Sequence, residues 1–136
     1  MGTSIEEFGE NAGKVWRALQ TNGPLSETKL MNFTFISEHQ LHAAVGWLAR
    51  ENKICKNGTV YKIGDTNLTT KIGEDAGKVW TALQTQKEAE VSTIARCAQL
   101  EVNDAYTALG WLARENKVDT KSMMKQRKQI MAFWLK

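Results

Sequence analysis

The sequence repeats itself at one constant spacing. The segment GENAGKVWRALQT at 9–21 returns as GEDAGKVWTALQT at 73–85, a shift of 64 positions (73 − 9 = 64). The segment GWLARENKI at 46–54 returns as GWLARENKV at 110–118 with the same shift. Because both landmarks keep one spacing without a gap, the repeated unit is a whole domain, and two copies are too few for a solenoid. We therefore expect two tandem domains, copy 1 at 1–66 and copy 2 at 67–136.

Apolar spacing in copy 1 predicts three helices. Helix one runs to about Gln20, with Ser4 and Glu7 placed as a capping box. The breaker Asn22-Gly23-Pro24 ends it, a short second helix begins near Ser26, and Ser37 can cap a third. The apolar positions at helical spacing are Ile5, Phe8, Ala12, Val15 and Leu19 in helix one and Leu41, Ala44, Val45 and Leu48 in helix three. Copy 2 repeats these helices at 72–84, 91–97 and 103–116.

After each third helix the period changes from helical to alternating. In KICKNGTVYKI the pair Asn57-Gly58 is typical of a type I′ hairpin turn. Copy 2 ends in the longer VDTKSMMKQRKQIMAFWL, which has no Asn-Gly pair. We expect a second, extended hairpin whose return strand covers 130–135. A terminal amphipathic helix is the alternative, since Met124, Met131 and Leu135 would share one helical face.

Helix, short helix, helix and hairpin is the order of a winged helix-turn-helix domain. The predicted fold class is mainly α with small β-hairpins (α+β), as two tandem winged helix-turn-helix domains. The linker at 63–70 is short, so we expect the copies to pack against each other.

The paired motifs also resemble a known family. GENAGKVW and GEDAGKVW, followed by AVGWLAREN at 44–52 and ALGWLAREN at 108–116, are similar to a bacterial and archaeal winged helix-turn-helix family of unknown function. The similarity covers each copy nearly end to end. It implies the fold and a nucleic-acid-binding ancestry, and it brings no ligand or catalytic residue. The long second hairpin departs from the short one usual in that family.

Composition excludes several classes of protein. With 42% hydrophobic residues, 24% charged residues and one proline in 136 residues, the chain is globular and neither disordered nor fibrous. It has no apolar run long enough for a membrane helix and no signal-peptide pattern, so we expect a cytoplasmic protein without a membrane partner. Cys55 and Cys97 occupy unrelated places in the repeat and are expected to be free buried thiols.

Nothing in the sequence points to catalysis. His39 and His42 stand at a spacing that could hold a metal, but no third ligand accompanies them, so solvated polar roles are favoured. There is no nucleophile constellation and no phosphate-binding glycine loop. We expect no enzyme, no cofactor and no metal, and no small-molecule ligand is evident.

The outer face of each third helix, opposite the core stripe, is a candidate DNA-reading surface. It carries His39, Ala43, Gly46 and Arg50 in copy 1 and Asn103, Thr107, Gly110 and Arg114 in copy 2. In a helix-turn-helix this face enters the major groove. Acidic residues near the helix starts oppose that interpretation. Arg50 and Arg114 could instead pair with Glu51, Glu115 or another acid.

Glycine inside a helix costs about 1 kcal/mol of helix stability relative to alanine. We therefore expect a close backbone contact at Gly46 and Gly110, more often with protein than with DNA.

The tryptophans fall into two pairs. Trp16 and Trp80 follow a core valine and are expected in the core or at its edge. Trp47 and Trp111 flank the core stripe and are candidates, with Gly46 and Gly110, for a domain or dimer interface.

The basic excess is local. Residues 121–136 contain no acid, and Lys121, Lys125, Arg127 and Lys128 surround the expected tip of the second hairpin. Such a tip can contact DNA phosphates, or it can be merely a solvated turn. The sequence favours a non-catalytic DNA-binding regulator that uses the copy 2 helix and basic hairpin. The alternative is a protein interaction or assembly module that binds no DNA.

Overall fold

The computed structural model describes residues 5–136, so the proposed cap at Ser4 lies outside the described residues. Copy 1 consists of α1 (Ile5–Asn22), β1 (Leu25–Ser26), α2 (Glu27–Thr34), α3 (Glu38–Arg50), β2 (Ile54–Asn57) and β3 (Val60–Ile63). Copy 2 consists of α4 (Thr69–Gln86), β4 (Glu88–Glu90), α5 (Val91–Ala98), α6 (Val102–Arg114), β5 (Val118–Lys125) and β6 (Lys128–Leu135). The same order of elements occurs twice, as the repeat predicts.

Local sequence signals explain where the copy 1 helices begin. Ser26 caps α2 by accepting a hydrogen bond from the Lys29 amide at 3.3 Å. Ser37 and Gln40 form a capping box at the start of α3, with hydrogen bonds of 3.2 and 2.8 Å. Each bond satisfies an amide that the first helical turn would leave without a partner.

Each copy forms a three-stranded antiparallel sheet, in the order β1-β3-β2 or β4-β6-β5. The outer strands β1 and β4 were missed from the sequence because two or three residues are too few to show alternation.

The turn of the first hairpin, wing 1 (β2 and β3), differs from the predicted type I′ turn at Asn57-Gly58. Asn57 pairs with Val60, so Gly58 and Thr59 form the turn. Of these two only Gly58 has a positive φ, whereas type I′ needs two.

The C-terminal segment is a hairpin, wing 2 (β5 and β6), and not a helix. Its return strand begins at Lys128, two residues before the expected start. The turn residues Gln126 and Arg127 have φ values of 51° and 65°, so this hairpin turns through two left-handed residues without an Asn-Gly pair. Strand β4 pairs only with the far end of β6, so 122–131 extends beyond the three-stranded sheet as a two-stranded ribbon.

The two copies complete each other's hydrophobic cores. Phe8 of α1 belongs to the core of copy 2, where its ring lies 6.0 Å from that of Phe133. Ile72 of α4, at the position equivalent to Phe8 (8 + 64 = 72), belongs to the core of copy 1. The expectation that the copies pack together is confirmed, and the beginning of each first helix contributes to the other copy.

The connection between the copies is held against wing 1. Asn67 receives a hydrogen bond from the Lys56 amide at 3.0 Å and donates one to the Lys56 carbonyl at 2.7 Å. Asn52 likewise accepts from the Thr66 amide at 2.8 Å and donates to Asp65 at 3.2 Å. These bonds fix the start of α4 relative to copy 1.

Two burial predictions need correction. Trp80 is exposed (39%) because it lies on the outer side of α4, whereas Trp16 is partly buried at the edge of the copy 1 core. Both thiols are free, but Cys55 is only partly buried and Cys97 is exposed. No helix within 5–136 has the length and apolarity to cross a membrane.

Candidate functional site

Helices α3 and α6 lie side by side and run in the same direction. At their beginnings Asn103 Nδ2 donates to Glu38 Oε1 at 3.3 Å, and at their ends Arg50 Nε donates to Glu115 Oε2 at 3.0 Å. Equivalent positions of the two copies therefore stand at the same level along the pair. We call this contact the seam.

Two glycines set the closeness of the seam. A Cβ atom added to Gly46 would stand 1.8 Å from the Thr107 carbonyl oxygen, and one added to Gly110 would stand 1.9 Å from that of Ala43. Both obstacles are backbone atoms, which cannot rotate away. Each helix therefore gives up about 1 kcal/mol of helix propensity at its glycine so that the backbones can touch.

At the C-terminal ends of α3 and α6, side chains of each helix contact side chains of the other copy. Arg50 pairs with Glu115 at 3.0 Å and lies 5.7 Å from the Trp111 ring centroid. Arg114 pairs with Glu51 at 2.9 Å and lies 5.8 Å from the Trp47 ring centroid. Trp47 and Trp111 each pack against both hydrophobic cores. Every conspicuous residue of the repeated GWxxRE signature thus contacts the other copy.

The beginnings of the two helices contact each other as well. The His39 ring stacks on that of Tyr106, with centroids 4.6 Å apart. The Oδ1 atom of Asn103 is buried and has no hydrogen-bond partner among residues 5–136. Thr107 donates back to the Asn103 carbonyl at 3.0 Å. The face expected to enter a major groove is, in both copies, turned toward the other copy.

Wing 2 carries cations of two kinds. Lys121 pairs with Glu88 at 3.2 Å and lies 5.6 Å from the Trp134 ring centroid, and Lys125 pairs with Glu90 at 3.9 Å. Arg127 and Lys128 at the tip are exposed and have no carboxylate partner within the part of the chain that the structure describes. Only two of the four predicted phosphate contacts are therefore unpaired cations.

A cavity of about 540 Å³ lies beside the seam, between α1, the start of α3 and the inner face of wing 2. We call it the open cleft. Its apolar wall consists of Phe8, Val91, Val102, Tyr106, Ile130 and Met131. Its polar groups include Glu7, Asn11 and Glu90. The volume is within the range of small-molecule sites, about 300–1,000 Å³.

The pseudo-equivalent place on the other side of the seam holds a charged cluster, formed by Glu27, His42, Tyr61, Lys71, Asp75 and Asp104. Lys71 Nζ donates to Asp75 at 2.5 Å and to Asp104 at 3.5 Å, and its bond to Asp75 raises the pKa of Lys71. Wing 1 is too short to form a wall here. The same location is thus filled in one half and open in the other.

Burial controls the titratable groups of the charged cluster. It lowers the pKa of His42 below the ordinary 6.5, although the Glu27 carboxylate lies 3.8 Å away and acts in the opposite direction. The imidazole is therefore neutral at pH 7. Burial and the Glu27 carboxylate together raise the pKa of Tyr61, whose hydroxyl donates to Glu27 at 3.4 Å.

Comparison with known proteins identifies the family. The family described as "Winged helix-turn-helix domain (DUF2582)" matches residues 1–63 and again residues 67–131. The chain belongs to this family. No curated protein and no solved structure matches it. The DUF2582 assignment agrees with the resemblance and with the predicted tandem fold. Winged helix-turn-helix domains commonly serve DNA binding or regulation and are typically not enzymatic.

Sequence reasoning missed several residues that this DUF2582 chain brings together. Glu115 and Glu51 were considered as partners of the arginines, but the exchange between copies was not foreseen. Asn11 and Glu7 of the open cleft gave no signal, because they meet their neighbours only when the copies assemble. The one available hint was the pair of glycines inside helices.

Proposed function

We propose that the protein is a non-catalytic interaction module in which the outer faces of α3 and α6, the recognition helices of the two copies, bind each other and hold the copies in one fixed orientation. One observation carries the proposal. Gly46 and Gly110 lie where any side chain would collide with the backbone of the opposite helix. A surface built to enter a DNA groove has no need of such a contact.

Charge supports the same interpretation. The two arginines on this face, Arg50 and Arg114, already have carboxylate partners from the other copy. To contact phosphate, each would have to give up its carboxylate and its position beside a tryptophan ring. The DNA-binding use of Asn103, Thr107, His39 and these arginines would also require the two cores to separate, since Phe8 and Ile72 join them.

A second function is favoured by the tip of wing 2. Arg127 and Lys128 are exposed cations on a protruding ribbon, and Lys121 and Lys125 stand behind them. This arrangement supports weak, sequence-independent contact with DNA phosphates, with the recognition helices playing no part.

Salt-titrated binding to random-sequence duplex DNA, followed by fluorescence anisotropy, distinguishes these functions. Two unpaired cations predict a slope of log K against log salt of about −1.8, and four predict about −3.6. The interaction module alone predicts no binding, whereas the tip function predicts binding with a slope between these two values. The tip function requires binding that a Lys121/Lys125/Arg127/Lys128 to Glu quadruple variant abolishes.

A matched variant tests the seam face itself. Arg50→Gln with Arg114→Gln removes both cations of that face and leaves wing 2 unchanged. We expect any DNA affinity to be the same as that of the parent. A slope of about −3.6 or steeper that becomes shallower in this double variant would show that the seam opens to bind DNA, and our proposal would then be wrong.

A further inference from the structure

The open cleft and the charged cluster are equivalent places with opposite contents. Glu7 and Asn11 of α1 correspond to Lys71 and Asp75 of α4 (7 + 64 = 71, 11 + 64 = 75). In copy 2 the Lys71 ammonium satisfies the buried Asp75 carboxylate. In copy 1 no cationic side chain among residues 5–136 takes that place, since Glu7 stands where the lysine would be.

Asn11 is the residue left without its partner. It is only 4% exposed and lines the open cleft, and its side-chain amide, for which no hydrogen bond is seen among residues 5–136, opens into that cavity. An amide that opens into a cavity and has no protein partner obtains its hydrogen bonds there, from water or from a ligand. The Asn11 carbonyl can accept a hydrogen bond, and the Glu7 carboxylate one helical turn earlier can balance a charge.

The rest of the cleft is suited to an apolar body. Tyr106 and Phe8 supply aromatic surface, and Met131 on the inner face of wing 2 supplies an adaptable side chain. Within 5–136 no lysine or arginine lines the cavity, whereas two carboxylates do. An anionic ligand would therefore meet like charge, and a cationic one would meet its counter-charge.

We propose that the open cleft binds a small organic amine, whose ammonium group takes the place that the Lys71 ammonium has in copy 2. The ammonium donates to Asn11 and Glu7, and the apolar part of the ligand lies between Tyr106 and the inner face of wing 2. The extension of wing 2 beyond its sheet supplies one wall of this site. This inference does not depend on the proposed function, because it concerns a cavity beside the seam.

The test compares three probes of nearly equal shape and different charge: 2-phenylethylamine, 2-phenylethanol and phenylacetate. Each is titrated into the full chain, and binding is followed by ¹H–¹⁵N NMR spectra that include the Asn11 side-chain amide. We expect saturable shifts at Asn11 and Tyr106 with the amine, affinity about tenfold weaker for the alcohol, and none for the acid, since one charge-assisted hydrogen bond distinguishes amine from alcohol. Equal affinity for all three probes, or no saturable shift at the cleft, overturns the proposal.

Two variants sharpen the result. Glu7→Gln is expected to weaken amine binding about tenfold. Its control, Glu6→Gln, makes the same charge change at an exposed neighbouring position and is expected to leave affinity unchanged. Equal loss in both variants would show a general charge effect and no defined site.

The double variant Glu7→Lys/Asn11→Asp copies the residues of copy 2 into copy 1. An internal ammonium then occupies the proposed site, so amine binding should disappear while the thermal unfolding temperature stays at or above that of the parent. Folding is thereby checked in the same sample. Amine binding that persists at parental affinity in the folded double variant contradicts the proposal.

Discussion

The open cleft and the charged cluster occupy the same place in two halves of one repeated fold, yet one is a cavity and the other is filled. In the cluster, Lys71 pairs with the buried Asp75 carboxylate. In the cleft, no lysine or arginine among residues 5–136 stands beside the buried Asn11. After duplication, the changed side-chain pair and the longer wing 2 are what distinguish the open cleft from the charged cluster.

At the seam between these two places, in contrast, the two copies have kept the same residues. Gly46 and Gly110, and the pairs formed by Arg50 and Arg114, make the same contacts in both directions. A contact near a pseudo-two-fold axis places equal demands on both copies, so its residues are constrained together. The residues of the open cleft and the charged cluster, on either side of the seam, face different surroundings and can therefore differ between the copies.

The largest expected effect comes from breaking the seam. Gly46→Ala and Gly110→Ala should each destabilise the protein by about 3 kcal/mol, because overpacking against backbone outweighs the gain of about 1 kcal/mol in helix propensity. Chemical denaturation measures the change. The control is Gly77→Ala in α4, where an added Cβ meets no atom within 4 Å. That variant should gain stability, and a similar gain at Gly46 or Gly110 would show that the helices do not touch.

Replacing Lys71 in the charged cluster should cost more stability than replacing its counterpart Glu7 in the open cleft, and less than breaking the seam. Lys71→Met leaves the buried Asp75 without its cation and should cost about 1–3 kcal/mol, whereas Glu7→Met should change stability by less than about 0.5 kcal/mol. Lys78→Met, on an exposed part of the same helix, controls for loss of a lysine. Because the pKa of Lys71 is raised, its contribution is complete below its ordinary 10.5 and is lost as the pH rises through the higher folded value. Equal losses at Lys71 and Glu7 would remove the contrast between the two places.

A third variant tests how closely copy 2 keeps the backbone of copy 1. Lys87 has φ 69° at the position where copy 1 has Gly23, with φ 77°. Side chains rarely adopt this conformation, so Lys87→Gly should raise the free energy of unfolding by about 1 kcal/mol. Lys87→Ala removes the same side chain without relieving the backbone and should give no gain. Equal stability of the two variants would mean that the backbone at this position is not strained.

The smallest effect concerns pH. Because burial lowers the pKa of His42, protonation favours the unfolded chain, and the stability linked to His42 is present above 6.5 and lost as the pH falls through the folded value. His42→Gln should therefore flatten the stability profile between about pH 7 and pH 5. His39→Gln, which removes the exposed imidazole stacked on Tyr106, is the matched control. A profile that keeps its slope in His42→Gln would assign the pH dependence to other groups.

Most of the fold could be predicted from the sequence, because repeat spacing, caps and apolar periodicity are local signals. Ser37 shows this, since its capping box begins α3 where expected. The turn of wing 2 escaped detection because Gln126 and Arg127 adopt left-handed conformations without the residues that favour them. Strand β1 was missed because Leu25 and Ser26 form a strand only by pairing with β3.

The arrangement of the copies was much less predictable. The outer faces of α3 and α6 were recognised as special, but helix geometry does not indicate whether such a face meets DNA or protein. The glycines favoured protein, whereas the basic tip of wing 2 favoured DNA. The open cleft depends on Glu7 and Asn11 from one copy and Tyr106 from the other, so no motif within a single copy could reveal it.

Nuclear Overhauser effects show whether the facing surfaces of α3 and α6 touch each other in solution, as the seam requires. We expect contacts from the Gly46 Hα atoms to the amide proton of Trp111, and from the Gly110 Hα atoms to the Ala43 Hα atom. We also expect one common alignment tensor for both copies in residual dipolar couplings. Absence of these contacts, together with separate tensors for the two copies, would show that α3 and α6 do not pack against each other and that their outer faces are exposed.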